Sequence, residues 1–218
     1  MKMKLLTAIA VLAMAGVASA GLINGGFETG DTTGWDTTAG NGAAVSTDYA
    51  HSGTYSLAID STGTGAWSSP NVFQAFEATE GDVASMDGWM LTAVAAQASS
   101  WATIKLEWKD INGNNIEPGA GVTSGAIDGT GQSYVGVVGS PQVNSTSAVD
   151  TWVFTDLQAT APAGTVAANF YLLNVNGNPG DTFYFDDVTA AVPEPATMGL
   201  LALSGGFMML IRRFRFKV

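Results

Sequence analysis

Two tryptophans sit in polar, flexible stretches of this sequence, Trp67 in TGAWSSP and Trp101 in ASSWAT, and Tyr134 is a third ring in a Gly-rich region. A ring exposed in such a setting can stack on the C–H face of a sugar while nearby amides and acids catch its hydroxyls. These three make a candidate platform. Trp35, Trp89 and Trp108 fall in strand-like contexts and are expected in the core. A second set is acidic. Glu28 stands beside Phe27 near the start of the chain, and Asp186 and Asp187 lie in the run FYFDDV near its end. If the first and last strands lie side by side, a hard cation with oxygen ligands can join them to the turn His51-Ser52-Gly53 through main-chain carbonyls.

The same inventory argues against catalysis. Glycosidases need two carboxylates about 5–9.5 Å apart across a sugar. Among so many acids no pair stands out, Glu77 and Glu80 included. His51 is the sole histidine, a turn role accounts for it, and no G-x-S-x-G surrounds a serine. The chain is read as not an enzyme. DINGN at 110–114 lacks the glycine and the final acid of an EF-hand loop, so it reads as a hairpin turn through Asn112-Gly113.

Charge narrows the partners. The 218 residues carry a net charge of -11 and no cysteine. Disulfides and Cys-based zinc sites are excluded. Between residues 21 and 192 only Lys105 and Lys109 face 18 Asp and Glu, a net charge of -16. Such a surface repels phosphate backbones, so no nucleic-acid partner is expected. Six Trp and many Val, Leu and Phe argue for a packed core rather than a disordered acidic chain.

The elements that would position these residues are strands. No window sustains a 3.6-residue apolar period. Short β-branched and aromatic runs alternate with Gly, Ser, Thr, Asn and Asp, predicting strands over 55–60, 72–77, 86–95, 102–108, 152–159, 167–175 and 182–189. Many short strands with Gly-rich turns argue for an all-β sandwich or barrel in one domain, residues 21–191. The polar, Gly-rich span 112–151 is expected to hold a long loop or an irregular hairpin around 133–138.

Both ends read as addresses. Lys2 and Lys4 precede an apolar run, and Ala18-Ser19-Ala20 supplies small residues, so residues 1–20 read as a signal peptide helix cut by signal peptidase between Ala20 and Gly21. At the other end Pro193-Glu194-Pro195 precedes an apolar segment, 198–211, and then Arg212, Arg213 and Arg215. That segment is short for a bilayer, which takes about 20 residues, and its basic end would stay cytoplasmic. A transient inner-membrane insertion as a short transmembrane helix fits.

Residues 192–218 resemble the PEP-CTERM sorting signal on three counts: the Pro-Glu-Pro, the short apolar segment containing Gly205-Gly206, and the Arg-rich end. The resemblance implies handling by exosortase and a final place at the cell surface or outside the cell. It also implies an association with exopolysaccharide, biofilm or extracellular matrix. The stretches NGGFETGDTTGW (24–35), HSGTYSLAI (51–59), KLEWKDINGN (105–114), APAGTVAANFYL (161–172) and FYFDDVTA (183–190) resemble CBM4/9-type carbohydrate-binding modules. Those are galactose-binding-like jelly rolls. This resemblance implies an extracellular glycan as ligand and a structural calcium held by Glu28 and Asp186, with Asp187 beside them. The long Gly-rich middle matches no part of that pattern. A structural or adhesion protein on the same scaffold, without a sugar site, stays open as the alternative.

Overall fold

Alternation of apolar and polar residues recurs along nearly every long strand, and it sorts the side chains into two sheets closed over one core. The computed structural model describes residues 19–38, 42–61, 69–96, 100–116, 137–139, 143–175 and 180–193. The strands are β1 (Ser19–Gly21), β2 (Ala43–Ser46), β3 (Ser56–Asp60), β4 (Asn71–Glu77), β5 (Val83–Thr92), β6 (Trp101–Lys109), β7 (Val137–Gly139), β8 (Val143–Asn144), β9 (Val153–Thr160), β10 (Ala167–Val175) and β11 (Thr182–Pro193). Residues Ala20–Val192 form one compact unit. The other unit, Met1–Ser19 with Pro193–Val218, lies almost wholly outside the described residues. The expected signal helix, the apolar segment 198–211, and the motif residues Glu194 and Pro195 fall there. Ala20 and Gly21, the expected cleavage pair, lie in β1, and Pro193 ends β11. Among the described residues no helix is long and apolar enough to cross a membrane.

One sheet runs β2-β3-β11-β5-β9, with β1 on β11, and the other runs β4-β10-β6-β7, with β8 on β6. Every strand pairing is antiparallel where its register is given. Chain neighbours often lie in different sheets, so the connections cross the sandwich as in a jelly roll. The expected all-β jelly-roll sandwich is the observed fold. Inward residues of both sheets fill the core: Leu57, Ile59, Met86, Met90, Phe183 and Phe185 from one, Val72, Ile104, Leu106, Trp108, Phe170 and Leu172 from the other. Each large apolar side chain so buried is worth about 1.5–3 kcal/mol, which is what an interior without disulfides relies on.

All seven predicted strands form, β10 with the predicted ends and the other six with shifted ones. The strand predicted over 86–95 starts earlier, at Val83, because β9 pairs with it from Val83↔Thr160 onward. The last strand runs on past 189 because Ala190 and Ala191 pair with Met86 and Ser85. Of four further short strands, β7 overlaps the irregular hairpin expected around 133–138, and β1, β2 and β8 carried no sequence signal. Phe27 is fully buried and sits at φ 57 in a tight loop outside any strand. Its ring stacks on Trp35 at 5.6 Å, and the Trp35 indole donates to the Asn24 carbonyl at 3.2 Å.

Candidate functional site

Two clusters gather the chemistry-bearing residues. The first forms where β11 breaks register. The ladder with β5 shifts between Asp186 and Thr189, Asp187 takes φ 48, and the Val188 amide bonds to the Gly25 carbonyl at 3.0 Å. An Asp tolerates that left-handed conformation better than most residues. The bulge turns Asp186 and Asp187 toward the turn before β3. Asp186 Oδ2 accepts the His51 and Ser52 amides at 2.7 and 3.1 Å, and its Oδ1 accepts the Asp187 amide at 2.7 Å. Asp187 Oδ2 lies 2.7 Å from His51 Nδ1, and Oδ1 accepts the Ser52 hydroxyl at 2.7 Å. Glu28 Oε1 accepts the Thr54 and Tyr55 amides, each at 2.9 Å. The three acids expected to act together do converge, on a turn of which every residue from His51 to Tyr55 except Gly53 donates to one of them.

Burial raises the Asp186 carboxyl above the ordinary carboxylate range; the amides of Ser52, Asp187 and His51 oppose this and the Asp187 charge adds to it. Burial also pushes Asp187 upward, but its bonds to His51 and Ser52 outweigh that and hold it below its usual value. The donors are all oxygen, which suits a hard cation. Gly26 faces them: a Cβ there would lie 3.7 Å from Asp187 Oδ1 and 3.9 Å from Asp186 Oδ1. Among the described residues no group of three or more His, Cys, Asp or Glu side chains closes on one point tightly enough to hold a metal. A cation here would therefore need main-chain carbonyls, as the sequence reading supposed. Asp186 has both oxygens engaged by main-chain amides, Asp187 has both engaged by side chains of the turn, and Glu28 accepts its two amides through Oε1.

His51 also carries an aromatic wall. Its ring stacks on Trp89 at 4.0 Å and meets Trp152 edge-on at 5.6 Å. Trp89 is therefore half-buried on the outer face of the six-stranded sheet and not in the core, where it was expected; Trp35 and Trp108 are buried as expected.

The second cluster lies on the outer face of the five-stranded sheet. Lys105, Glu107 and Lys109 alternate along β6, while Ala102, Ile104, Leu106 and Trp108 point inward. Register sets Phe73, Tyr171 and Lys105 in one row across β4, β10 and β6, and Ala75, Asn169 and Glu107 in the next. The Phe73 and Tyr171 rings lie 5.0 Å apart. Lys105 Nζ sits 4.2 Å from the Tyr171 ring centroid and 2.6 Å from Glu107 Oε1, and Lys109 Nζ is 2.7 Å from Glu107 Oε2. Asn169 donates to the Tyr171 hydroxyl at 3.2 Å. Glu107 is only 7% exposed. Burial works to raise it, and the two lysines outweigh that and hold it below its ordinary value. The Tyr171 hydroxyl is pushed up to about 12, chiefly by burial, with the Glu107 charge adding and the Asn169 bond opposing. Half-buried rings beside fixed donors and acceptors are what a sugar-binding cleft requires.

Of the three rings read from the sequence as a platform, only Trp101 lies among the described residues. Trp101 opens β6 at 6% exposure, packed with Leu173, Val175 and Tyr171. A ring so covered offers no face for stacking, so that expectation is corrected. Polar neighbours in the sequence suggested a loop, but the strand begins at Trp101 itself. Trp67 and Tyr134 lie outside the described residues. Phe73, Tyr171, Asn169 and the Lys–Glu–Lys run were missed. The alternation in KLEWK and the confinement of both lysines of residues 21–192 to it were the available signal.

The two sheets and their connections define a class, the jelly-roll β-sandwich. Residues 19–78, the segment from β1 into β4, match the family described as carbohydrate binding domain, CBM_4_9. Solved structures show the same fold across more of the chain. The CBM22-1 xylan-binding domain from Paenibacillus barcinonensis Xyn10C is 17% identical with a TM-score of 0.52, covering 84% of this chain and 100% of that one. The C-terminal family 22 carbohydrate binding module of Clostridium thermocellum Xyn10B is 18% identical with a TM-score of 0.51, covering 76% and 90%. The enzymatically active domain of bacteriophage CBA120 tailspike protein 4 is 14% identical with a TM-score of 0.52, covering 78% of this chain. This chain spans only about a fifth, 21%, of that tailspike domain. No curated protein sequence matches the chain.

Proposed function

We propose that this is an exported, non-catalytic carbohydrate-binding protein, and that its ligand lies on the outer face of the five-stranded sheet. The observation that carries the reading is the row Phe73–Tyr171 with Asn169, Lys105 and Glu107 alongside, rings and polar groups held half-buried on one sheet face. The match of residues 19–78 to a carbohydrate-binding family and the fold shared with a xylan-binding domain support it. Export through signal peptidase at Ala20, passage by exosortase at Pro193-Glu194-Pro195, and display as a matrix or surface component follow from the terminal sequences. The full-length protein should be retarded on electrophoresis through gels containing a soluble glycan, and Tyr171→Ala should lose about 1–2 kcal/mol of that affinity, the worth of a stacked ring. Migration unaffected by every glycan tried would favour the purely structural role.

Calcium belongs to the same proposal as a stabiliser, with Glu28 and Asp186 as its side-chain ligands. Bound there it would screen carboxylates that now depend on the amides of residues 51–55.

A further inference from the structure

We infer that the glycan this face accepts carries a carboxylate, and that Lys105 selects it; the inference rests on the proposed carbohydrate site. Residues 21–192 hold two cations against 18 acids. Chance would leave both lysines on the solvated surface, where long cationic side chains usually lie. Instead both sit on this one face, with side chains 14% and 18% exposed.

One lysine would neutralise Glu107. Lys109 already does so at 2.7 Å, and it also bonds Asn115. Lys105 adds a second positive charge to the same carboxylate. Its ammonium has three donors. One is used on Glu107, and the ammonium also lies over the Tyr171 ring, 4.2 Å from its centroid. Donors therefore remain beside the ring on which a sugar would stack.

Among the described residues two further acids lie near this region, Asp36 across from Phe73 and Glu77 in the row of Lys109. Both are exposed. Exposed charges are screened within about 8–10 Å by physiological salt, whereas partly buried ones are screened much less. Among the described residues Lys105, Lys109 and Glu107 thus leave a surplus of one positive charge at the centre, with the exposed acids at the rim. A neutral sugar has no use for that surplus. A hexuronic acid lying on Phe73 and Tyr171 can bring its carboxylate to Lys105 as a charge-assisted hydrogen bond.

The test compares retention of the full-length protein by polygalacturonate, by the same polymer after chemical reduction of its carboxyls, and by a sulfated galactan. The expected result is affinity for polygalacturonate about tenfold above the reduced polymer, in keeping with one charge-assisted hydrogen bond. Lys105→Gln, which leaves the Lys109–Glu107 pair in place, should collapse that ratio toward one, with the β-sheet signature in circular dichroism retained at the assay temperature even though the loss of one partner of Glu107 lowers the melting temperature. Equal retention by acidic and reduced polymers would overturn the inference and leave the carbohydrate reading standing. A ratio unchanged in Lys105→Gln would overturn the role of Lys105, and preference for the sulfated polymer would overturn the carboxylate. Retention by none of the three, nor by any neutral glycan, would overturn both readings.

Discussion

At the scale of single residues, glycines and carboxylates decide what can be changed. A Cβ on Gly25 would lie 1.9 Å from the Val188 carbonyl oxygen, a backbone atom that cannot step aside. Gly25→Ala should therefore cost about 3 kcal/mol or more, with the strain mechanisms of tight backbone contacts behind it. Gly113 meets nothing within 4 Å and pays only for its φ of 81, so Gly113→Ala should cost about 1 kcal/mol. Thermal melts of the two variants measure the contrast. Glu107 gives a pH signature. Its folded pKa lies below the unfolded value, so its contribution is present above about pH 4 and is lost as pH falls through the folded value. Glu107→Gln should lower stability by about 2 kcal/mol at pH 7. The gap between the two proteins should narrow below pH 4 in denaturant titrations. A gap constant down to pH 2 would mean that the lysines do not hold this carboxylate. Neither effect was legible beforehand, because a sequence shows that a glycine or a glutamate is present but not what stands against it.

At the scale of elements, the β11 bulge is the organising device. It gives up ladder bonds at Asp187 and Val188 and spends that freedom on the 51–55 turn and the 22–28 segment. Gly25 and Gly88 both lie against Val188, which is why neither position carries a side chain. The N-terminal segment is also tied to the other sheet, where the Gln74 amide donates to the Ile23 carbonyl at 2.7 Å and accepts its amide at 3.1 Å. Asp186→Ala would leave three part-buried amides without their acceptor, which water can reach in part, so the total cost should be about 1–3 kcal/mol. Amide hydrogen exchange should then speed up at residues 51, 52 and 187 well before it does in β6 or β10. The individual strands were legible because alternation survives wherever one face is buried and the other wet. The bulge was not, since two consecutive aspartates in a strand-like run do not disclose which one leaves the ladder.

At the scale of the whole molecule, a sandwich without disulfides has its core and whatever it binds to hold it together. If calcium is bound as proposed, its removal acts by mass action on the folded state, worth about 2.7 kcal/mol at a hundredfold excess over Kd. For a chain of this size that corresponds to a melting temperature lower by several degrees in EGTA. Identical melting curves with EGTA and with calcium would discard the cation. What the residues alone determined was the class of structure: many alternating runs, no helical period, enough large apolar side chains for a core, and a strongly acidic middle. Hydrophobic periodicity is local, so it can be read along a chain. Which carboxylates meet which turn, and whether a given ring faces solvent, depends on strand order and register between residues more than a hundred positions apart, as with His51 and Asp186. Only the packing of β11 between β3 and β5, and of β10 between β4 and β6, settled those pairings. That packing buried Trp101 and set Tyr171 between Phe73 and Lys105.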